Sequence, residues 1–128
     1  MQDENISHKS KVAVLGASDN PERYSNILVQ RLKARGHEVF PIHPTLKTLY
    51  DLPVYPNIES LPAGIDVLSI YMNAERSSNL AATLLATPIH KVIFNPGAEN
   101  ADLQKRMAEN GKEVVEACSL VLNSLDQI

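Results

Sequence analysis

The sequence predicts an α/β domain built on a doubly wound parallel sheet. Three observations carry this. The first strand candidate, "KVAVLG", carries an unbroken apolar run rather than an alternating one, which suits a strand buried on both faces. Strands and stretches of helical periodicity alternate along the chain. No two apolar runs are joined by a hairpin signal, so crossovers must link parallel neighbours. With right-handed crossovers the result is a three-layer αβα sandwich, Rossmann-like, with expected strand order 3-2-1-4-5 and room for one further edge strand.

Taken in order, residues 1–10 ("MQDENISHKS") read as a polar, frayed tail, and 11–128 as the single domain. "KVAVLG" is the first strand. A helix from Arg23 to Arg35 follows, with Tyr24, Ile27, Leu28 and Leu32 on one face. Gly36 stands where a left-handed C-terminal cap is expected. "HEVFPIHP" is the second strand, and its Pro41 is tolerable only if the missing N–H faces a side without a partner. Residues 45–64 hold three prolines and read as a connector with at most a short strand near Val54. "IDVLSIYM" is the next strand. "NAERSSNLAATLLATP" is one helix with Leu80, Ala81, Leu84 and Leu85 as its apolar stripe and Pro88 as its stop. "HKVIFNPG" is a strand and loop, "NADLQKRMAENG" a helix ended by Gly111, "KEVVEA" the last strand, and "SLVLNSLDQI" a short closing helix.

Composition narrows the function classes. The chain has 128 residues, 44% hydrophobic, with 12 basic and 15 acidic side chains and a net charge of −3. That length suits one domain. No basic patch suggests nucleic acid. Neither a signal peptide nor a membrane-spanning run is evident, so no membrane partner is expected. The one cysteine, Cys118, cannot form an internal disulfide, which fits a cytoplasmic location. His8 lies in the tail, and His37 and His90 begin strands at the edge away from any crevice. The four histidines show no metal-ligand spacing, so no metal is expected.

In open parallel sheets, ligands sit beyond the carboxyl ends of the strands. Here those ends carry Gly16–Asn20, His43–Pro44, Met72–Asn73, Asn95–Ala98 and Ala117–Ser119. No carboxylate pair stands among them, so a general acid–base centre is not expected. The first turn aligns Gly16, Ser18 and Pro21 with the glycines of Gly-x-Gly-x-x-Gly. Only the first glycine is present. A plain tight turn and a phosphate-binding turn both remain open, because Ser18 can donate a hydroxyl and a helix N-terminus offers free amides. No acid stands at the tip of the second strand, which counts against NAD. His43 and Lys47 could instead meet a phosphorylated ribose. Arg23, at a helix start, suits phosphate better than it suits the helix dipole.

The segments "VAVLGASDNPERYS", "GHEVFPIHP", "IDVLSIYMN", "VIFNPGAEN" and "VEACSLVLNS" cover nearly the whole chain from Lys11 on. In that order and spacing, the chain resembles the small stand-alone CoA-binding proteins of the Rossmann-like CoA-binding domain family. These are similar to the nucleotide-binding domain of the succinyl-CoA synthetase alpha subunit. The resemblance implies coenzyme A bound over the strand tips. It places Gly16, Ala17, Ser18 and Asn20 at the phosphate-side turn and Arg23, Tyr24 and Ser25 at the opening of the first helix. His43, Pro44 and Lys47 fall near the adenosine end. Tyr71, Met72 and Asn73 fall at the central crevice, where many relatives carry an arginine. Asn95, Pro96 and Gly97 match a loop where relatives often have a glutamine before a glycine. Cys118, just after the last strand, reads either as a thiol near the pantetheine end or as a small buried apolar residue. The synthetase's phosphorylated histidine belongs to a part that this chain lacks.

The expected function is therefore a non-catalytic module that binds or senses coenzyme A or an acyl-CoA, without assigned catalytic residues. A homodimer is the expected assembly, on no specific residue. Two other classes remain as alternatives. One is a nucleotide-dependent oxidoreductase or acyl-CoA-handling enzyme with chemistry at Cys118. The other is a nucleotide fold kept only for protein contact.

Overall fold

The computed structural model describes residues 9–128. Its elements, in chain order, are β1 (Lys11–Leu15), α1 (Tyr24–Ala34), β2 (Glu38–Ile42), β3 (Thr48–Leu49), β4 (Leu52–Pro53), a 3-10 turn (Ile58–Ser60), β5 (Val67–Ile70), α2 (Ala74–Asn79), α3 (Ala81–Ala86), β6 (Lys91–Phe94), α4 (Ala101–Glu109), β7 (Glu113–Glu116) and α5 (Ser119–Ser124). Five parallel strands form the sheet in the order β2-β1-β5-β6-β7. Tyr55 adds an isolated parallel bridge to Ile42. Counted as a third strand, that bridge yields the expected 3-2-1-4-5 order, with β7 as the further edge. Leu15 pairs with Ile42 and Ile70, Ile70 with Phe94, and Phe94 with Glu116. The carboxyl ends of all five strands therefore finish along one edge.

The unbroken apolar strands resolve into two buried faces. Ala13, Leu15, Phe40, Ile42, Leu68, Ile70, Val92 and Phe94 join one cluster, closed by Leu84 of α3 and by Leu103 and Met107 of α4. Val12, Val14, Val39, Val67 and Ile93 join the other, closed by Leu28, Val29 and Leu32 of α1. Each of these large side chains contributes about 1.5–3 kcal/mol by leaving water. Pro41 fits because its carbonyl accepts from Tyr55 N at 2.9 Å. The ring nitrogen faces that same outer side, where the sheet has only the single bridge.

Several expectations need correction. On α1 the buried positions are Ser25, Asn26, Leu28, Val29 and Leu32, whereas Tyr24 is 67% exposed. The buried stripe is rotated from the one the apolar residues suggest, and it turns Asn26 inward to bind both the β1 turn and the β3–β4 hairpin. The long helix after β5 breaks at Leu80 (φ −104°, ψ 11°) into α2 and α3. At the break Leu80 N donates to Ser77 O at 3.0 Å, and Asn100 Nδ2 ties α2 to α4 through Ala74 O, Ser77 Oγ and Ser78 Oγ at 3.1, 2.8 and 3.0 Å. A hairpin does occur. β3 and β4 are antiparallel, joined through Tyr50 (φ 50°) and Asp51 (φ 66°). The usual asparagine–glycine signal is missing, since the strain is held by outside contacts: Tyr50 Oη donates to Asn26 Oδ1 at 2.6 Å, and Lys33 Nζ donates to Tyr50 O. Of the expected tail, residues 1–8 lie outside the described residues. Ser10 is inside the fold, with its N–H on His37 Nδ1 at 2.9 Å and its hydroxyl on Ile128 O at 3.1 Å.

Among the described residues, no helix is long and apolar enough to cross a membrane. None of their His, Cys, Asp and Glu side chains gather in threes to hold a metal ion.

Candidate functional site

Strand order reverses between β1 and β5, and a cavity of about 710 Å³ opens at their carboxyl ends. That size is ordinary for a small-molecule site. Its floor is Leu15, Ile42 and the Gly16–Ser18 turn. Arg23, Tyr24 and Ser25 of the α1 start form one wall, and His43 and Pro44 another. Pro56 to Glu59 line a third side, and Met72, Arg76, Leu80 and Thr83 complete the lining.

Gly16 is required by its neighbour as well as by its own backbone. Its φ is +91°, and a Cβ there would lie 2.5 Å from Tyr71 O. The turn is then organised by short polar side chains. Ser18 Oγ accepts from Asn20 N, and Asn20 Oδ1 accepts from Glu22 N, both at 3.0 Å. These are the local turns such residues favour. Ala17 N already donates to Ile42 O at 3.2 Å, so this amide serves the sheet. The start of α1 is different. Arg23 occupies its N-cap without a side-chain cap bond, and no acid stands in its first turn. By contrast, Asn73 caps α2 and Asn100 caps α4. The leading amides of α1 thus open on the cavity uncapped, with the positive end of an 11-residue helix behind them.

The sequence-predicted residues divide sharply. Gly16, Ala17, Ser18, Arg23, Tyr24, Ser25, His43, Pro44, Tyr71 and Met72 come together on this cavity. Asn20, Lys47, Asn73, Asn95, Pro96, Gly97 and Cys118 do not line it. Asn20 and Asn73 hold local turns and caps. Asn95 is 1% exposed and fully engaged inside: Nδ2 donates to Ser69 Oγ at 2.8 Å and Ile70 O at 2.9 Å, and Oδ1 accepts from Ser119 N at 2.8 Å. Pro96 and Gly97 sit in an exposed loop. Cys118 is half-buried at the N-cap of α5.

Sequence reasoning missed Arg76, Asn57, Glu59 and Asn26. Arg76 carried a readable signal, since it too places a cation in the first turn of a helix that follows a strand tip. Asn26 carried none. It is fully buried and joins three elements: Nδ2 donates to Ser18 O at 2.8 Å, while Oδ1 accepts from Tyr50 Oη and from Gln30 Nε2.

Below the cavity, the hydroxyl of Tyr71 is buried without a hydrogen-bond partner among the described residues. Burial pushes the phenol above its ordinary range, and the neighbouring Cys118 adds to this. The folded chain therefore holds this proton more tightly than the unfolded chain, whose phenol titrates near 10. The stability this provides is present below about pH 10 and lost as the pH rises above it. Tyr71→Phe is expected to flatten the alkaline fall in melting temperature. At pH 7 it should be neutral or stabilising by up to about 1 kcal/mol, because an unpartnered hydroxyl is removed. Melting curves at pH 7 and about pH 10.5 decide it, and an equally steep fall in the variant would refute the assignment.

The fold and cavity define a Rossmann-like α/β protein with a ligand crevice at its topological switch point. More narrowly, the chain belongs to the CoA binding domain family, whose model matches residues 10–124. It is similar to the uncharacterised protein YneT of Bacillus subtilis (strain 168), at 22% identity over 110 residues, 86% of this chain and 82% of that protein. A crystal structure of an uncharacterised protein superposes with a TM-score of 0.86 at 30% identity, covering 94% of this chain and 99% of that one. The ADP-forming acetate–CoA ligase I of Archaeoglobus fulgidus is 25% identical over 72 residues, 56% of this chain but 10% of the ligase.

Proposed function

We propose that the chain binds coenzyme A, free or acylated, as a holding module rather than an enzyme. The observation that carries this is the uncapped start of α1, opening with Arg23 onto the cavity beside the Gly16–Ser18 turn. Free amides, a helix dipole and a guanidinium there suit a pyrophosphate. Ser18 and Ser25 offer hydroxyls to the same group. His43 and Pro44 face the adenosine, and Arg76, also on the cavity, offers a second cation to the phosphorylated ribose. Membership of a CoA binding domain family supports the ligand, and the ligase similar to this chain acts on CoA by its name.

Binding without chemistry is supported by the one histidine on the cavity wall. His43 Nδ1 accepts from two backbone amides, so the nitrogen a general base would use is already engaged. Cys118, the nucleophile of the enzymatic alternative, lies off the cavity wall.

The test is thermal stability with CoA, dephospho-CoA, NAD and NADP in turn. A ligand at 100 times its Kd should stabilise the fold by about 2.7 kcal/mol. Stabilisation by CoA above dephospho-CoA is the expected result, and stabilisation by NAD alone would overturn the reading. Arg23→Ala should weaken CoA by about 1.5–3 kcal/mol, the cost of losing a charged hydrogen bond. An unchanged affinity in calorimetry would remove Arg23 from the site.

A further inference from the structure

We infer that His43 serves the ligand as a fixed, neutral hydrogen-bond donor through Nε2–H, reading an uncharged acceptor on the nucleoside rather than a phosphate. This rests on the coenzyme reading above and assigns one wall of that site.

The tautomer follows from what surrounds the ring. Nδ1 lies 3.1 Å from Thr45 N and 3.1 Å from Leu46 N. Both are backbone amides, which can only donate, so Nδ1 is the acceptor and the ring proton is on Nε2. Thr45 Oγ1, at 3.4 Å, then donates as well. The main chain beneath is fixed too, since His43 N donates to Tyr55 O at 2.9 Å. His43 thus closes its turn as an asparagine side chain would, by accepting from amides two and three residues on. Unlike asparagine, it carries a second nitrogen at the far edge of the ring. That nitrogen has no partner among the described residues, and the residue stands on the cavity wall.

The neighbours identify what the donor reads. The Ile42–Tyr55 bridge sets the 56–59 segment beside the β2 tip, and Pro44, Pro56 and Glu59 share the cavity there. Two proline rings offer flat apolar contact to a base or sugar. A carboxylate repels phosphate and accepts from a hydroxyl. Lys47, the cation that would have paired with His43 around a phosphate, is off the wall. No lysine or arginine of the β2 tip or of the 56–59 segment lines the cavity, so this corner suits an uncharged nucleoside.

The substitution that separates the two edges of the ring is His43→Asn. It keeps an acceptor for the 45–46 amides and removes the distal donor, while His43→Ala removes both. Calorimetry with CoA and with dephospho-CoA should show the Asn variant about fivefold weaker for both, as for one lost neutral hydrogen bond. The ratio of the two affinities should stay at its wild-type value, and melting temperature should fall only for the Ala variant. In wild-type protein, imidazole nitrogen NMR should show Nδ1 unprotonated and Nε2 protonated, with the Nε2 signal moving when CoA is added. An Asn variant with undiminished affinity, a ratio that collapses towards one, or a proton on Nδ1 would each overturn the inference. If wild-type protein fails to bind CoA, the coenzyme reading falls, and the spectrum of the free protein still decides the tautomer.

Discussion

Gly16→Ala is expected to cost about 2–4 kcal/mol, while Gly97→Ala costs about 1 kcal/mol, although the two backbones are alike. Both glycines have φ +91°, so the strain of placing an L residue in that region is common to both. They differ in what the new Cβ meets. At Gly97 nothing lies within 4 Å, whereas at Gly16 the Tyr71 carbonyl oxygen is 2.5 Å away and its carbon 3.0 Å. That carbonyl belongs to the chain just past the tip of β5, where Tyr71 N donates to Leu15 O at 2.9 Å. Relief therefore means prising β1 from β5 at the crevice. The penalty resembles overpacking of a closed core, about 1–3 kcal/mol beyond the strain. A loss of this size is a large part of a domain's ordinary margin of 5–15 kcal/mol. At about 4 °C per kcal/mol, the melting temperature should drop by roughly 8–16 °C for Gly16→Ala and about 4 °C for Gly97→Ala. Equal drops in urea or thermal unfolding would show that the Tyr71 contact relaxes freely.

This pair of glycines also shows how far the sequence could be read. "VAVLG" announces a buried strand and a sharp turn, because both signals are local. What presses on Gly16 is a carbonyl 55 residues away in the chain, and no pattern within the turn encodes it. The same division runs through the rest of the molecule. Strand order followed from alternation and crossover handedness, properties of whole segments. The break at Leu80 did not, and neither did the hairpin at Tyr50–Asp51, which is held by a side chain from elsewhere, Asn26. Within the site, residues at the tips of β1, β2 and β5 and at the start of α1 were legible from topology. The segment 56–59 was not, because its place depends on one bridge between Ile42 and Tyr55. Asparagines misled most. Asn20, Asn73 and Asn95 all stand at strand ends where ligands are expected, yet each satisfies the protein's own backbone. An amide side chain at a strand tip has two uses, and only the distribution of its partners tells them apart.

Asn95 makes that distinction testable. Its amide joins the tips of β5 and β6 to the start of α5, through Ser69 Oγ, Ile70 O and Ser119 N. Ser69 and Ser119 hydroxyls are themselves bonded at 2.8 Å, and all three residues are buried. Asn95→Leu keeps roughly the side-chain size and removes every polar atom. It leaves the Ser119 amide without its acceptor and Ser69 without its donor in a place water does not reach. Each orphaned group costs about 1–3 kcal/mol, and members of a shared network lose more together than singly, so about 3–4 kcal/mol is expected. Asn95→Asp should also destabilise, because the carboxylate can still accept from Ser119 N but no longer donates to Ile70 O. If Asn95 instead acted as a ligand contact, both variants would unfold like wild type and lose coenzyme. The opposite split is expected. Chemical unfolding midpoints should fall, while the folded fraction, measured well below its transition at low temperature, retains the wild-type affinity for CoA to within about twofold, the scatter expected of a distant substitution. Loss of affinity without loss of stability would return Asn95 to the binding surface. The network's position explains why the outcome matters: it ties the start of α5, and with it Cys118, to the tips of β5 and β6, where Leu120 and Leu122 add apolar packing against the core.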